Sequence, residues 1–117
     1  MNKYTELSDF EINLKVAHIV LGKNNYDWCP DKKEVYLAGI DGGDFLPHGY
    51  FDPCNNPSDA MLIIIENGIA IRPYKTATPV AFNAEIGEFY GHTIYNENVL
   101  RAAMELFLLM KDEENEG

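Results

Sequence analysis

Three polar signals for the start of a helix divide this chain, and each stands directly before an apolar stretch. Ser8 is followed three positions later by Glu11, the capping-box pattern in which each side chain accepts the other residue's free backbone amide. Asn56 precedes Pro57, whose fixed backbone angle suits the first position of a helix. Asn98 precedes a run of leucine, alanine and methionine. The sequence therefore predicts three helices, and any strands must come from the segments that connect them.

We predict that the helices cover residues 9–21, 57–67 and 98–111. In the second helix, Asp59 lies where it favours the positive end of the helix dipole, and Gly68 follows the C-terminus. The middle of that helix is continuously apolar, which predicts that it is buried. Apolar residues at helical spacing in the outer two helices predict one shared core, formed by Phe10, Leu14, Leu21, Leu100, Met104 and Phe107.

Short β-prone runs lie between the predicted helices, at residues 34–38, 69–72, 79–82 and 89–95. Residues 22–33 mix glycine, asparagine, proline and lysine around two aromatics and indicate a loop. The resulting order is α-β-α-β-β-β-α. We therefore predict an α+β fold, a small, mostly antiparallel sheet of three to four strands with about three helices packed against it.

The length and composition allow one ordinary domain. With 117 residues, of which 46% are hydrophobic, the chain can bury one core without disulfides or a metal. We place the domain at residues 1–111. Residues 112–117 carry four acids at the negative end of the last helix, which is unfavourable, so we expect this tail to fray.

The charge balance limits the classes of partner. Nineteen acidic residues stand against nine lysines and arginines, for a net charge of −10, so direct binding of nucleic acid is disfavoured. The apolar runs are much shorter than the roughly 20 residues that span a bilayer, and the first residues lack the apolar core of a signal peptide. We expect a cytoplasmic protein that does not enter membranes.

The residues that could carry out chemistry form weak patterns. Cys54, with His48, His92 and Asp52, is the one set from which a thiol nucleophile and a base could be assembled, but the many surrounding acids oppose a thiolate. A metal site at Asp41, Asp44 and Asp52 would have hard oxygen ligands but lacks the spacing of a calcium-binding loop. We therefore expect neither a cofactor nor a catalytic site.

The segment from Gly39 to Asn56, which we call the acidic aromatic loop, is too long and too apolar for a plain turn. Its aromatic and acidic residues are the predicted partner-binding residues, namely Phe45, Tyr50, Phe51, Asp41, Asp44 and Asp52. A loop that begins and ends at a small sheet cannot bury all three aromatic rings, so at least one should be partly exposed. An exposed aromatic residue ringed by acids suits a protein partner with an apolar pocket and a basic rim.

Three stretches of the chain, residues 7–13, 51–67 and 100–104, resemble the NinX-like proteins of lambdoid phages and prophages. The resemblance implies a phage accessory protein of the bacterial host cell and implies no biochemical activity. The signature positions Ser8, Glu11, Asn56, Pro57, Asp59, Gly68 and Asn98 are explained by helix capping and termination. We expect it to act by binding another protein, either from the host or the phage or a second copy of itself. The alternative is a small-molecule or divalent-metal-binding enzyme that uses the Cys54, His48 and Asp52 region.

Overall fold

The computed structural model describes residues 2–22, 24–37, 49–88 and 91–116. The elements occur in the order α1 (Asp9–Val20), β1 (Tyr26–Cys29), β2 (Glu34–Leu37), α2 (Pro57–Glu66), β3 (Ile69–Arg72), β4 (Val80–Asn83), β5 (Thr93–Tyr95) and α3 (Val99–Glu116). The predicted α+β class is confirmed, with three helices near the predicted positions. No helix of the described residues is long and apolar enough to cross a membrane.

The strands form two antiparallel sheets where one was predicted. β1 pairs with β2, while β3, β4 and β5 form a separate sheet in that order. β1 lies inside the segment predicted to be a loop. The strand was not predicted because four residues that include Asp27 show too little alternation of polar and apolar side chains. The turn from β1 to β2 places Lys33 at a φ of 57°, a left-handed conformation that glycine or asparagine usually supplies, so the usual turn signal is missing too. In the predicted 89–95 strand, residues 93–95 are extended and residues 89–90 lie outside the described part.

α3 is the centre of the molecule. It contacts α1, α2 and each strand of the second sheet. Every residue from Arg101 to Leu109 is buried, so this part of α3 is covered on all sides. Met104 and Phe107 are 0% and 1% exposed, which confirms their predicted place in the core.

The buried face of α1 differs from the predicted one. Its buried residues are Ile12, Asn13, Val16 and Ala17. The predicted core residues of this helix, Phe10, Leu14 and Leu21, are only partly buried and pack against the core from its edge. The reason is that α1 contacts both α3 and the first sheet, so the residues that face these two elements are covered most completely.

The prediction that α2 is a buried helix is wrong for one of its faces. Ala60, Ile63 and Ile64 are buried, whereas Leu62 and Ile65 are mostly exposed. A continuous apolar run cannot reveal which of its residues face outward. In the structure α2 packs against α3 and β3, which cover only its inner face.

α3 continues to Glu116, past the predicted end of the helix. Contacts with residues distant in sequence hold the added turn. Asp112 accepts a hydrogen bond from the Tyr4 hydroxyl, and Glu113 lies 2.7 Å from Nε2 of His92. These partners lie about 20 or more positions away in sequence, so they offset the unfavourable helix dipole in a way that local patterns do not reveal.

Candidate functional site

A buried arginine joins the N-terminal segment to α1 and α3. Arg101 is 9% exposed, and its Nη2 donates to the carbonyl oxygens of Tyr4 and Leu7. Its Nη1 lies 2.8 Å from Oδ1 of Asp9, and its Nε lies 2.8 Å from Oε2 of Glu105. Arg101 is therefore paired both with Glu105, four positions further along α3, and with Asp9 on α1.

Glu105 is the most deeply buried charged residue in the described part of the chain, with 2% of its surface exposed. One of its carboxylate oxygens accepts from Arg101 and the other from Nδ2 of Asn2 at 3.0 Å. Burying a carboxylate is costly unless it is paired and hydrogen-bonded. Both conditions are met here, so Glu105 holds Arg101 in position within the core.

Asn13 on α1 bonds to the end of the acidic aromatic loop. It is 6% exposed, and its Nδ2 donates to Oδ1 of Asp52 at 2.7 Å. Its Oδ1 accepts from the backbone amide of Cys54 at 3.1 Å. The amide of Asp52 in turn donates to Asp59, so Asp59 holds the turn before α2. Sequence reasoning missed Asn13, because a lone asparagine within a helix carries no local signal.

Asn55 and Asn98 complete the connection from this segment to α3. The Asn55 side-chain amide donates to both Asp9 and Asp52, and its Oδ1 accepts from Asn98 at 3.1 Å. Asn98 also donates to the carbonyl of Cys54 and accepts from the amide of Arg101 as the cap of α3. We call the following residues the polar network: Asp9, Asn13, Asp52, Asn55, Asn98, Arg101 and Glu105.

A cleft of about 220 Å³ opens beside the polar network. We call it the acidic cleft, and it is lined by Asp9, Phe10, Asn13, Lys33, Glu34, Val35, Tyr50, Phe51, Asp52 and Asn55. Tyr50 is 45% exposed, whereas Phe51 is 5% exposed and belongs to the core. The ring of Tyr50 lies 5.2 Å, centre to centre, from that of Tyr36 on β2. The described lining of the cleft thus combines carboxylates with the half-exposed ring of Tyr50.

The structure brings together three of the predicted partner-binding residues. Tyr50, Phe51 and Asp52 all line the acidic cleft. The other predicted residues of the loop, Asp41, Asp44, Phe45 and His48, lie outside the described residues. The capping residues act as expected, since Ser8 and Glu11 exchange both bonds of the capping box and Asn56 accepts from the amide of Ser58.

The weak catalytic candidates are not joined into a site by the described contacts. Cys54 is fully buried, and this burial, reinforced by the charge of Asp9, raises the pKa of its thiol well above the usual range. His92 instead pairs with Glu113 of α3. Within the described ranges, no three His, Cys, Asp or Glu side chains are grouped so that they could hold a metal ion.

A second, larger cleft of about 650 Å³ lies between the N-terminal segment, β5 and α3. Its rim carries Lys3 and His92, and its lining includes Glu105. Each of these three side chains has a partner within the chain, since Lys3 pairs with Asp112, His92 with Glu113 and Glu105 with Arg101. The structure therefore gives each of them a role within the fold.

The fold and this site define a small α+β domain in which one polar network joins the N-terminal segment, two helices and the turn before α2. The chain belongs to the bacteriophage P22 NinX family, whose model matches residues 3–111. That match includes every residue of the polar network and of the acidic cleft, and it confirms the resemblance seen in the sequence. Searches of curated proteins and of solved structures gave no match.

Proposed function

We propose that this phage accessory protein acts in the cytoplasm of the bacterial host by binding another protein at the acidic cleft. The observation that carries the proposal is the position of Tyr50, a half-exposed aromatic residue at the side of a cleft that also contains carboxylates. Tyrosine is among the residues that contribute most to binding at protein interfaces. The partner would place an apolar pocket over Tyr50 and basic side chains around it.

Tyr50 is held in position before any partner arrives. Its backbone pairs with Tyr36, and the neighbouring amide of Phe51 donates to the carbonyl of Val35 at 2.8 Å. The Tyr36 hydroxyl donates to Glu34, and this bond is the largest cause that raises the pKa of Tyr36 to about 12. A residue whose backbone is already fixed loses less conformational entropy on binding, which favours affinity.

The charges around the cleft favour a basic partner. Asp9, Glu34 and Asp52 line it, and among the described lining residues Lys33 is the one basic residue. Hydrogen bonds from asparagine, arginine and, at Glu34, the Tyr36 hydroxyl occupy some of the lone pairs of these carboxylates, but each carboxylate has about four acceptor sites. Together with the net charge of −10, they would speed the encounter with a positively charged surface.

The enzyme alternative receives less support. A catalytic thiol has to be accessible and ionised near neutral pH, whereas Cys54 is 0% exposed and its pKa is raised. Cys54 also does not line the acidic cleft. No described observation favours a second function over protein binding.

The test compares two tyrosines of nearly equal exposure, Tyr50 at 45% and Tyr74 at 43%, each replaced by alanine. The partner is isolated from phage-infected cells with the tagged chain, identified and purified, and its affinity is measured at about 50 and about 300 mM NaCl. We expect Tyr50→Ala to weaken binding by about tenfold or more, Tyr74→Ala to have little effect, and salt to slow association. Equal affinities for Tyr50→Ala and the unaltered protein would refute the proposed surface.

A further inference from the structure

The outward face of α2 is apolar. Met61, Leu62 and Ile65 are 38%, 62% and 69% exposed, and we call these three residues the apolar ridge. Leu62 and Ile65 are the two most exposed large hydrophobic residues of the described chain. Surface helices usually carry polar residues on the solvent side. The apolar ridge on the solvent side of α2 is therefore unusual and needs an explanation.

The ridge does not build the core of this domain. The opposite face of α2, formed by Ala60, Ile63 and Ile64, supplies the contact with the rest of the molecule. Leu62 and Ile65 keep more than three-fifths of their surface in water, so folding gains little from them. Polar residues at these positions would serve folding and solubility equally well.

A second copy of the chain is a poor occupant for the ridge. The three side chains expose on the order of 300 Å² of apolar surface. Two ridges in contact would bury a few hundred Å², well below the roughly 1,200 Å² of a stable, specific interface. Each copy also carries a net charge of −10, so the two would repel each other.

A groove on another protein fits the ridge better. A groove surrounds a convex helix on both sides and so buries more of it than a flat surface does. Ser58, Met61, Leu62 and Ile65 are spaced at i, i+3, i+4 and i+7, which is how helices that bind in grooves place their contact residues. All four side chains are exposed.

We propose that α2 is a recognition helix that inserts its apolar ridge into an apolar groove with a basic rim on a protein partner. The basic rim follows from the exposed Glu66 at the end of α2, from Asp59 in its first turn, and from the acidic chain as a whole. Asn56 and Pro57 fix the start of the helix, so it is formed before binding. None of the ridge residues lines the acidic cleft, so this surface is separate from the one proposed above.

The first part of the test needs no partner and uses the full chain with Leu62→Gln and Ile65→Gln combined. Ile19→Gln on α1 is the matched control, because Ile19 is another exposed helical isoleucine, at 43%. We expect the urea midpoint of the double variant to equal or exceed that of the unaltered protein, and both to sediment as monomers. A clear fall of the midpoint would show that the ridge serves folding, and a dimer lost in the double variant would show a second copy as the occupant; either result overturns the proposal.

The second part identifies the partner by contact. Benzoylphenylalanine at position 62 is photo-crosslinked in infected cells, and the attached protein is identified, purified and titrated with each variant. We expect the double variant to bind about tenfold or more weakly, Ile19→Gln to bind normally, and Glu66→Gln to associate more slowly. The proposal fails if no protein is attached, or if the titration is unchanged by the double variant. It also fails if phosphatidylcholine vesicles bind the unaltered chain and not the double variant, because the ridge would then contact lipid.

Discussion

At the scale of single residues, Arg101 has the widest structural role in the described chain. Burial lowers the pKa of its guanidinium, but the hydrogen bonds to Glu105 and Asp9 outweigh burial and leave the pKa above its ordinary value. The side chain therefore stays charged while it binds two carboxylates and the carbonyls of the N-terminal segment. A planar group with five donors can do this, whereas lysine cannot.

Replacing Arg101 with methionine should lower the free energy of unfolding by about 3–5 kcal/mol, because Glu105 is then left charged, buried and without its cation. Adding Glu105→Met to the same chain should recover part of that loss, since no unpaired charge remains. Urea titration of the single and double variants measures both effects. If the double variant were less stable than Arg101→Met alone, the burial of Glu105 would not be the source of the cost.

Asn56 has a narrower role, which a pair of substitutions can isolate. Its Oδ1 accepts from the amide of Ser58 at 3.0 Å. Asn56→Ala should cost about 0.5–2 kcal/mol, while Asn56→Ser keeps a capping oxygen and should cost much less. Denaturant titration gives both values. Unchanged stability in both variants, together with a lost interaction, would move Asn56 from a capping role to a binding role.

The residues that could be predicted from the sequence are those whose partners lie within a few positions. The capping box of Ser8 and Glu11 and the cap at Asn56 each join residues two or three positions apart. The contacts of Asn13 with Asp52 and of Asp9 with Arg101 span 39 and 92 positions. Only the folded chain brings such residues together, so most of the polar network could not be predicted.

At the scale of elements, α3 determines how the rest of the domain packs. Its apolar residues predicted a helix with one wide buried face, and the structure surrounds it with both other helices and the second sheet. Glu105 lies inside this helix and was not identified as a core residue, because a glutamate at helical spacing usually faces solvent. For α2 the error was reversed, since apolar residues were taken as buried and three of them are exposed.

Phe107 tests the central position of α3. It is 1% exposed and is among the largest fully buried side chains. Phe107→Ala should reduce the free energy of unfolding by about 3–5 kcal/mol, since it removes a large apolar contact and leaves a cavity. A loss below about 1 kcal/mol in urea titration would mean that the surrounding residues do not form a single packed core.

The last turns of α3 should depend on pH through Asp112. The Tyr4 hydroxyl, helped by Lys3, lowers the pKa of the Asp112 carboxyl. A lowered pKa means that the folded state favours the carboxylate, so this stabilisation is complete above the ordinary carboxyl pKa of about 4 and is lost as the pH falls through the lower, folded value.

Asp112→Asn keeps the shape of the side chain but removes the charge, so it should lower stability by about 1 kcal/mol near neutral pH. The difference from the unaltered protein should shrink as the pH falls below about 4. Urea titrations at several pH values measure it, and Asp31→Asn in the exposed turn between β1 and β2 is the control. A difference that stayed constant down to about pH 2 would rule out the charge of Asp112 as the cause.

At the scale of the whole molecule, the fold consists of two small sheets joined through helices, in a chain with a large excess of acidic residues. The split into two sheets could not be predicted, because strand order depends on which side of α1 and α3 each pair packs against. The net charge of −10 was available from composition alone. It affects stability and binding in opposite ways.

Raising NaCl from about 20 to about 300 mM should raise the thermal midpoint by a few degrees, because screening weakens the repulsion among surface carboxylates. The pair of Arg101 with Glu105 is buried and is screened less, while the more exposed pairs such as Lys111 with Glu114 contribute little at any salt concentration. Repulsion should therefore dominate the response of the thermal midpoint to salt.

Over the same range of NaCl the association rate with a basic partner should fall. Calorimetry measures the thermal midpoint, and surface plasmon resonance measures the association rate. The same measurements in KCl check that ionic strength is the cause. A thermal midpoint that falls as salt rises would mean that attractive ion pairs outweigh repulsion in this fold.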